Sequence, residues 1–357
     1  MLFRSKKDDL KKDAWISVVK DSWLYNESRS WGAPLKGFQG ENFFSTPNPK
    51  IGAVFTYYLR EDLKTMKEKR KDVEKEKIKK GEPVYYPSAD SIRMEDNYPD
   101  PYLLFYIMDD GGNIVRKLKA AAKKGISRIT WDLRYNSPGQ INFKVPDPSN
   151  PYDVAENGHL SLPGNYKVSL AKFEDGKITE LVPSQSFKVN SLNAASLPAT
   201  DKKALADFCK KVSEIRRAVA GSDSFLEELT SNIKFIKQAI FEAPSAMPDA
   251  AFQVNNLEKR LANINIKLNG DASLARREFE TPTSISSRIN SMESTLWGTS
   301  AAPTQTFIQS YETASKQFSL LLEELNNVNV DIKKMEDQLE QNKAPYTPGR
   351  LPVWKDK

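Results

Sequence analysis

The sequence contains few of the residues from which most active sites are built. Cysteine and histidine occur once each, as Cys209 and His159. A single cysteine excludes an intrachain disulfide, and a single histidine excludes every metal site that needs a histidine cluster. A Ser-His or Cys-His nucleophile pair would have to use His159 itself. We therefore expect no metal ion and no cofactor, assign no catalytic residue, and expect Cys209 to be a buried apolar residue on a helix.

Segments that bind nucleotides or cross membranes are also missing. No Walker A loop and no dinucleotide-type glycine motif occurs, so the sequence offers no cradle for nucleotide phosphates. No apolar run approaches the roughly 20 residues that span a bilayer. Residues 1–9 turn charged at once and lack the apolar part of a signal peptide. The chain is therefore expected either to be cytoplasmic or to belong to an exported protein whose signal lies elsewhere.

The net charge of +6 suggests a nucleic-acid partner, but the distribution of the charges argues against one. Much of the positive charge lies between residues 60 and 81, where lysines alternate with acidic residues at helical spacing. Such interleaving favours ion pairs along a solvated helix. A surface that follows phosphates would carry cations without these acids, together with aromatic side chains for stacking. No nucleic-acid partner is expected.

Short β-rich runs dominate the middle of the chain. Two of them, residues 102–108 and 113–118, are joined by Asp109-Asp110-Gly111-Gly112, which predicts a hairpin because glycine adopts positive φ at no steric cost. A strand is predicted at residues 52–59, others at 125–135 and 162–170, and a second hairpin turn at Asp175-Gly176. This pattern predicts an Ig-like antiparallel β-sandwich over residues 42–191, with the charged helix at about 60–81 as an insertion.

The apolar period changes from two to about three and a half after Leu197. Five apolar stripes predict helices, which lie at residues 205–219, 226–240, 254–268, 285–296 and 307–339. Gly221, Pro244 and Gly270 are predicted to end the first three. The last helix would be about 55 Å long. We predict an antiparallel α-helical bundle over residues 197–340 and an α+β, multi-domain protein; an intermolecular coiled coil is the alternative.

The two flanks of the chain are rich in isolated aromatic residues. Residues 1–41 form a predicted connector with Trp15, Trp23 and Trp31, and residues 341–357 form a proline-rich tail with Tyr346 and Trp354. Prolines forbid regular helix in the tail. Isolated tryptophans in a polar segment usually pack along a larger partner. These five aromatic residues are the candidates for partner docking.

Ligand binding has only weak candidates in the sequence. Asp132 lies beside Trp131, and Glu41 lies beside aromatic residues, which is the arrangement of a carboxylate next to a sugar platform. The competing interpretation, which we favour, makes Asp132 a turn residue at a strand end and Trp131 a core residue. Glycoside hydrolysis by carboxylates and binding of a glycan or peptide both remain alternatives at this point.

The order of several segments carries a resemblance to a known family. The segments are residues 38–40, 42–49 and 52–59, the Lys/Glu-rich helix, residues 125–135, the helical region and residues 345–350. In this order they resemble the C-terminal region of bacterial, Bacteroidetes-type sortilin-like (VPS10-type, BNR-repeat) β-propeller proteins, which are often labelled glycosyl hydrolases. The middle segment also resembles the Ig-like domain of flagellar-hook-capping type that follows secreted propellers.

The resemblance implies a non-catalytic accessory region. The Asp-box repeats of the family's propeller do not occur in this sequence, so the resemblance assigns a role to no residue here. It implies an extracellular or outer-membrane location and, as partner, a β-propeller domain or another cell-surface protein. Any catalytic acids that the label implies would belong to the propeller.

Overall fold

A computed structural model describes residues 9–25, 50–147, 149–150, 152–192 and 197–354, together with positions 42, 44 and 46. The chain divides into two compact units. The β-rich unit comprises Met1–Asn136 and Asp147–Ser196, and the helical unit comprises Ser137–Pro146 and Leu197–Lys357. Each unit has a hydrophobic core of its own.

The β-rich unit contains two sheets and two helices. After a 3-10 turn (Asp9–Lys11), its elements are β1 (Ala14–Ile16), β2 (Ser22–Leu24), β3 (Ala53–Leu59), α1 (Met66–Lys79), α2 (Ala89–Asn97), β4 (Tyr102–Asp109), β5 (Ile114–Ala121), β6 (Gly125–Trp131), β7 (Gly164–Glu174) and β8 (Lys177–Ser191). One sheet has the order β1-β3-β6, and the other has the order β2-β8-β7-β4-β5. All pairs are antiparallel except β2 with β8, which is parallel.

The predicted Ig-like antiparallel sandwich is wrong. The fold is α+β, but the five-stranded sheet is mixed and curls into a half-barrel, and the other sheet has only three strands. The error has a physical origin, because turn residues specify only local hairpins. The partners of β2 and β3 are strands far away in the chain, and nothing in their local sequence encodes that pairing.

Both predicted hairpins are confirmed. In the first, Asp109 Oδ1 accepts a hydrogen bond of 2.8 Å from the Asn113 backbone N–H, and Gly112 has φ of 79°. In the second, Asp175 and Gly176 have φ of 52° and 73°, which matches a two-residue turn with both residues left-handed. Alternate residues of β4 enter the core, so its pattern of period two specifies which face is buried.

The helical unit is built around four helices that share one core. Its elements are α3 (Lys202–Glu242), α4 (Ala250–Asn269), the short α5 (Ala272–Ala275), α6 (Ile285–Leu296) and α7 (Gln305–Gln341). Asp201, Ser284 and Thr304 cap three of them by accepting backbone N–H bonds. The apolar stripes of α3, α4, α6 and α7 join in one core cluster. The stripe of α7 is therefore covered within the chain, which removes the reason for an intermolecular coiled coil.

The predicted helix end at Gly221 is wrong, because α3 continues through it to Glu242. Val219 and Leu226, on either side of Gly221, are both buried in the core cluster. Packing of this continuous stripe outweighs the cost of one glycine in a helix, which is only about 1 kcal/mol.

Replacing Gly221 by alanine is expected to stabilise the helical unit by roughly 0.5–1 kcal/mol. Gly221 is exposed, and a Cβ there would meet no heavy atom within 4 Å. Urea unfolding followed by far-UV circular dichroism measures the change. Gly221→Pro is the opposite control and should destabilise by about 3 kcal/mol or more. A destabilising alanine would contradict a continuous α3.

Candidate functional site

Trp131 is a core residue of the β-rich unit and offers no surface for a sugar. Its side chain is 0% exposed at the end of β6. The indole Nε1 donates to the Arg134 carbonyl oxygen at 2.9 Å, and the ring lies 5.2 Å from Tyr166 and 6.3 Å from Phe187, centroid to centroid. A sugar platform needs an exposed ring face, so Trp131 cannot act as one in this fold.

Asp132 forms a turn at the end of β6. Its Oδ1 accepts a hydrogen bond of 3.1 Å from the Arg134 backbone N–H, as in an Asx turn. The Arg134 guanidinium donates to the Gly158 carbonyl oxygen at 3.2 Å. Burial lowers the pKa of Arg134, and the nearby charge of Asp132 opposes this shift. Glu41 lies outside the described residues. Asp132 therefore has a structural role in this turn.

His159 lies in the same group of residues. Its side chain is buried, its Nδ1 is 3.0 Å from the Leu160 carbonyl oxygen, and its ring centroid is 4.4 Å from that of Tyr135. Burial lowers the pKa of His159, and the nearby Arg134 charge lowers it further, although the hydrogen bond to Leu160 raises it. His159 is thus a neutral packing residue at neutral pH.

Acidification is expected to destabilise the β-rich unit through His159. Because the folded-state pKa lies below the unfolded value of about 6.5, the unfolded chain binds the proton first as pH falls. The stability due to the neutral ring is complete above about pH 6.5 and is lost below it. Urea unfolding at about pH 7.5 and 5.5 should show a larger drop for the wild type than for His159→Gln. Equal drops would contradict a buried neutral His159, since the chain has no other histidine.

The aromatic candidates of the N-terminal flank are separated in the fold. Trp15 lies in β1 of the three-stranded sheet and is half-buried, whereas Trp23 lies in β2 of the other sheet and is about half exposed. Trp31 lies outside the described residues. The structure therefore does not bring the three tryptophans into one described cluster.

The C-terminal tail is anchored to the end of α7. Glu340 accepts hydrogen bonds from Tyr346 Oη at 3.2 Å and from Arg350 Nη2 at 2.5 Å. The Arg350 guanidinium lies 5.0 Å from the centroid of the Tyr346 ring, a cation–π contact. Ala344 belongs to the helical core, and Thr347 is buried. Residues 344–350 are thus a fixed turn, which we call the tail anchor.

The chain beyond the tail anchor exposes apolar side chains. Leu351 is 89% exposed, Val353 65% and Trp354 85%. The Val353 backbone N–H donates to Tyr346 Oη at 3.2 Å, so this segment remains tied to the anchor. The sequence indicated Tyr346 and Trp354, but it gave no signal for the role of Arg350, because its partner Glu340 lies in the preceding helix.

A second feature of the helical unit is an apolar pocket of about 490 Å³. Its walls come from the end of α4, the segment before α6 and the middle of α7, with Ile266, Leu274, Ile285 and Leu320 as apolar lining. The ion pair between Lys267 Nζ and Glu324 Oε1, at 2.7 Å, joins α4 to α7 there. Sequence reasoning missed this pocket because its lining combines residues of α4, α7 and the segment before α6, which are far apart in the chain.

Two chemical tests of the described residues are negative. They contain no group of three or more His, Cys, Asp and Glu side chains that could hold a metal ion. None of their helices is sufficiently long and apolar for a bilayer span. No protein-family model matches the chain, and no curated protein matches it at a significant level.

Proposed function

We propose that this chain is a non-catalytic interaction region of a secreted or cell-surface, sortilin-like propeller protein, and that its C-terminal tail docks a protein partner. The observation that carries the proposal is the exposed apolar trio Leu351, Val353 and Trp354 at the end of an anchored turn. The proposed partner is a β-propeller domain or another cell-surface protein.

The physical argument concerns the cost of ordering. A free tail loses conformational entropy when it binds, and that loss subtracts from affinity. The tail anchor ties residues 344–350 to α7 before any partner is present. Trp354 can then insert into a partner pocket at a smaller entropic cost, and tryptophan is among the residues most enriched at interface hot spots.

The helical unit supplies a rigid base for this tail. The stripe of α7 is buried along the helix, from Ala314 to Leu339. The Ser245 hydroxyl, just after α3, donates to Asn342 Oδ1 at 2.8 Å, which ties the start of the tail to another part of the unit. A docking residue carried by such a base keeps its position, and this supports a bracing role.

The geometry of the candidate catalytic residues supports the non-catalytic part of the proposal. Trp131 and Asp132 take part in core packing and a turn. Burial raises the pKa of the Cys209 thiol to about 11, so the nucleophilic thiolate is scarce at neutral pH. Purified chain should therefore turn over no substrate in a broad panel of glycosides and peptides. Robust turnover would end this part of the proposal.

Site-specific crosslinking tests the docking part. A photoreactive phenylalanine analogue replaces Trp354 in the cells that make the protein, and the matched control carries it at Phe241, which is also 85% exposed but lies on α3. A discrete adduct with a propeller-containing protein at position 354, and none at 241, is the expected result. Trp354→Asp should prevent co-purification of the same partner. Identical adducts at both positions, or no adduct at 354, would contradict tail docking.

A further inference from the structure

The five-stranded sheet ends in an open strand at β5. In the order β2-β8-β7-β4-β5, β5 is the last strand and pairs with β4 alone among the described residues. Within the same described part of the chain, no backbone group of residues 114–121 forms a hydrogen bond outside that ladder. The outer edge of β5 therefore offers a row of eight residues whose outward N–H and C=O groups can pair with another strand.

This edge lies in a stretch of one charge sign. Residues 111–131 contain six cationic residues and no acidic residue. The cations are Arg116, Lys117, Lys119, Lys123, Lys124 and Arg128. Lys117 and Lys119 are exposed and, as alternate residues of one strand, project from the same face of the sheet.

Aromatic rings of β4 hold these two lysines in place. Lys119 Nζ lies 4.2 Å from the centroid of the Tyr102 ring, and Lys117 Nζ lies 5.5 Å from that of Tyr106. The second ring face of Tyr102 is stacked on Phe173 at 4.8 Å. Both faces of Tyr102 are therefore occupied, which disfavours stacking of a nucleic-acid base there. The two ammonium groups instead lie over β4 and place positive charge on the exposed face of the sheet beside the β5 edge.

Charge decides which strand can pair with this edge. A second copy of β5 would bring lysines opposite lysines, and like charges directly opposite destabilise a strand pair. A strand with carboxylates on the Lys117 and Lys119 face forms opposite-charge pairs instead. On the other face, Leu118 and Ala120 are half-buried and accept apolar side chains. The matching partner is an extended peptide in which acidic and apolar residues alternate.

We propose that β5 is a binding site for an acidic peptide segment of another protein, which adds to the five-stranded sheet as a sixth strand. This mode takes its affinity from main-chain hydrogen bonds and its specificity from alternate side chains. The proposal is independent of the C-terminal tail. The opposite edge of the sheet is less suited. Its end strand β2 has only three residues and covers β8 only at residues 189–191. In the part of β8 that β2 leaves uncovered, Pro183 lacks an N–H and the Gln185 side chain already donates to the Ile16 carbonyl oxygen at 3.1 Å.

The first experiment uses the full chain and two blocked seven-residue peptides, in which valine alternates with glutamate or with lysine. The glutamate peptide should bind, as measured by fluorescence anisotropy, and the lysine peptide should not. Amide hydrogen exchange followed by NMR should slow by at least about tenfold at alternate residues of 114–121, whose outward N–H groups gain partners. Equal binding of both peptides, or binding without protection at β5, would overturn the proposal.

Charge reversal provides the second arm. The double variant Lys117→Glu and Lys119→Glu should lower the affinity for the glutamate peptide by at least about tenfold, since two attractive cross-strand pairs become repulsive. The matched control, Lys167→Glu and Lys188→Glu, makes the same change on β7 and β8 and should stay within about twofold. Circular dichroism verifies folding of both. Equal losses of affinity in the two double variants would show that the peptide responds to the overall charge of the protein and not to pairing with β5. That result would overturn the proposal.

The remaining alternatives each have a measurable outcome. Sedimentation that shows β5-dependent dimers would replace the acidic peptide by a second copy of the chain and overturn the proposal. Another outcome is that a heparin fragment or an oligothymidylate binds tightly while the glutamate peptide does not bind and the 114–121 amides still exchange fast. This result would show that β5 belongs to a surface for polyanions, and it would also overturn the proposal. A protected β5 with the glutamate peptide supports strand addition.

Discussion

Gly52→Ala is expected to destabilise the β-rich unit by about 3 kcal/mol or more. Gly52 has φ of 127°, a conformation that L side chains rarely adopt. A Cβ at this position would also lie 1.9 Å from the Trp131 carbonyl oxygen and 2.8 Å from its carbonyl carbon. Both atoms are backbone at the end of β6, where Trp131 pairs with Ala53. Neither β3 nor β6 can move away without breaking the pairing of Ala53 with Trp131, so the steric clash cannot be relieved by a small shift.

Hydrogen exchange of the Phe105 amide in β4 measures the stability of the β-rich unit alone. In Gly52→Ala, this amide should exchange more than about a hundredfold faster than in the wild type. Gly81→Ala is the matched control, because Gly81 has φ of 75° but a Cβ there meets no atom within 4 Å. That control should cost only about 1 kcal/mol, the price of the left-handed conformation. Equal effects at the two glycines would refute the close approach of β3 and β6.

Ile236→Ala is the second change with a large expected effect, a loss of about 2–5 kcal/mol from the helical unit. Ile236 is wholly buried in the core cluster that joins α3, α4, α6 and α7. Removing three carbon atoms forfeits their transfer free energy and leaves a cavity that four packed helices cannot close completely. Urea unfolding followed by far-UV circular dichroism should show a lower midpoint with an unchanged denaturant dependence.

The control for Ile236 lies on the same helix. Phe241→Ala removes a larger side chain, but Phe241 is 85% exposed, so its loss should change stability by no more than about 0.5 kcal/mol. The contrast tests which face of α3 is buried. A phenylalanine variant as damaging as the isoleucine variant would mean that the buried stripe had been assigned to the wrong face.

Sequence reasoning predicted what depends on neighbours in the chain. The turn at Asp109–Asn113 and the turn at Asp175-Gly176 were recognisable because their residues favour left-handed conformations. The stripe of α7 was recognisable because its apolar spacing is regular from Phe307 to Leu339. The parallel pairing of β2 with β8 was not, since three residues, Ser22–Leu24, are too few to specify a distant partner. The Ig-like sandwich failed at that point.

For the candidate sites too, the sequence predicted features that depend on neighbouring residues and missed those that depend on distant ones. The sequence favoured Trp131 as a core residue over a sugar platform, and its burial agrees with that preference. The tail anchor depends on Glu340 and Arg350, ten positions apart and in different local conformations, and no spacing rule connects them. The acid-free stretch 111–131 is visible in the sequence, but its meaning depends on β5 being the last strand of a sheet.

The pairing of β2 with β8 also has a consequence for synthesis on the ribosome. Ser22 aligns with Val189, so the five-stranded sheet cannot close until about 170 further residues have been translated. At roughly 5–20 residues per second, the N-terminal strand waits on the order of ten to thirty seconds for its partner. During that interval β4 and β5 can already form their hairpin, because their residues leave the ribosome together. During synthesis, the pairing of β2 with β8 is therefore the last step in forming this sheet.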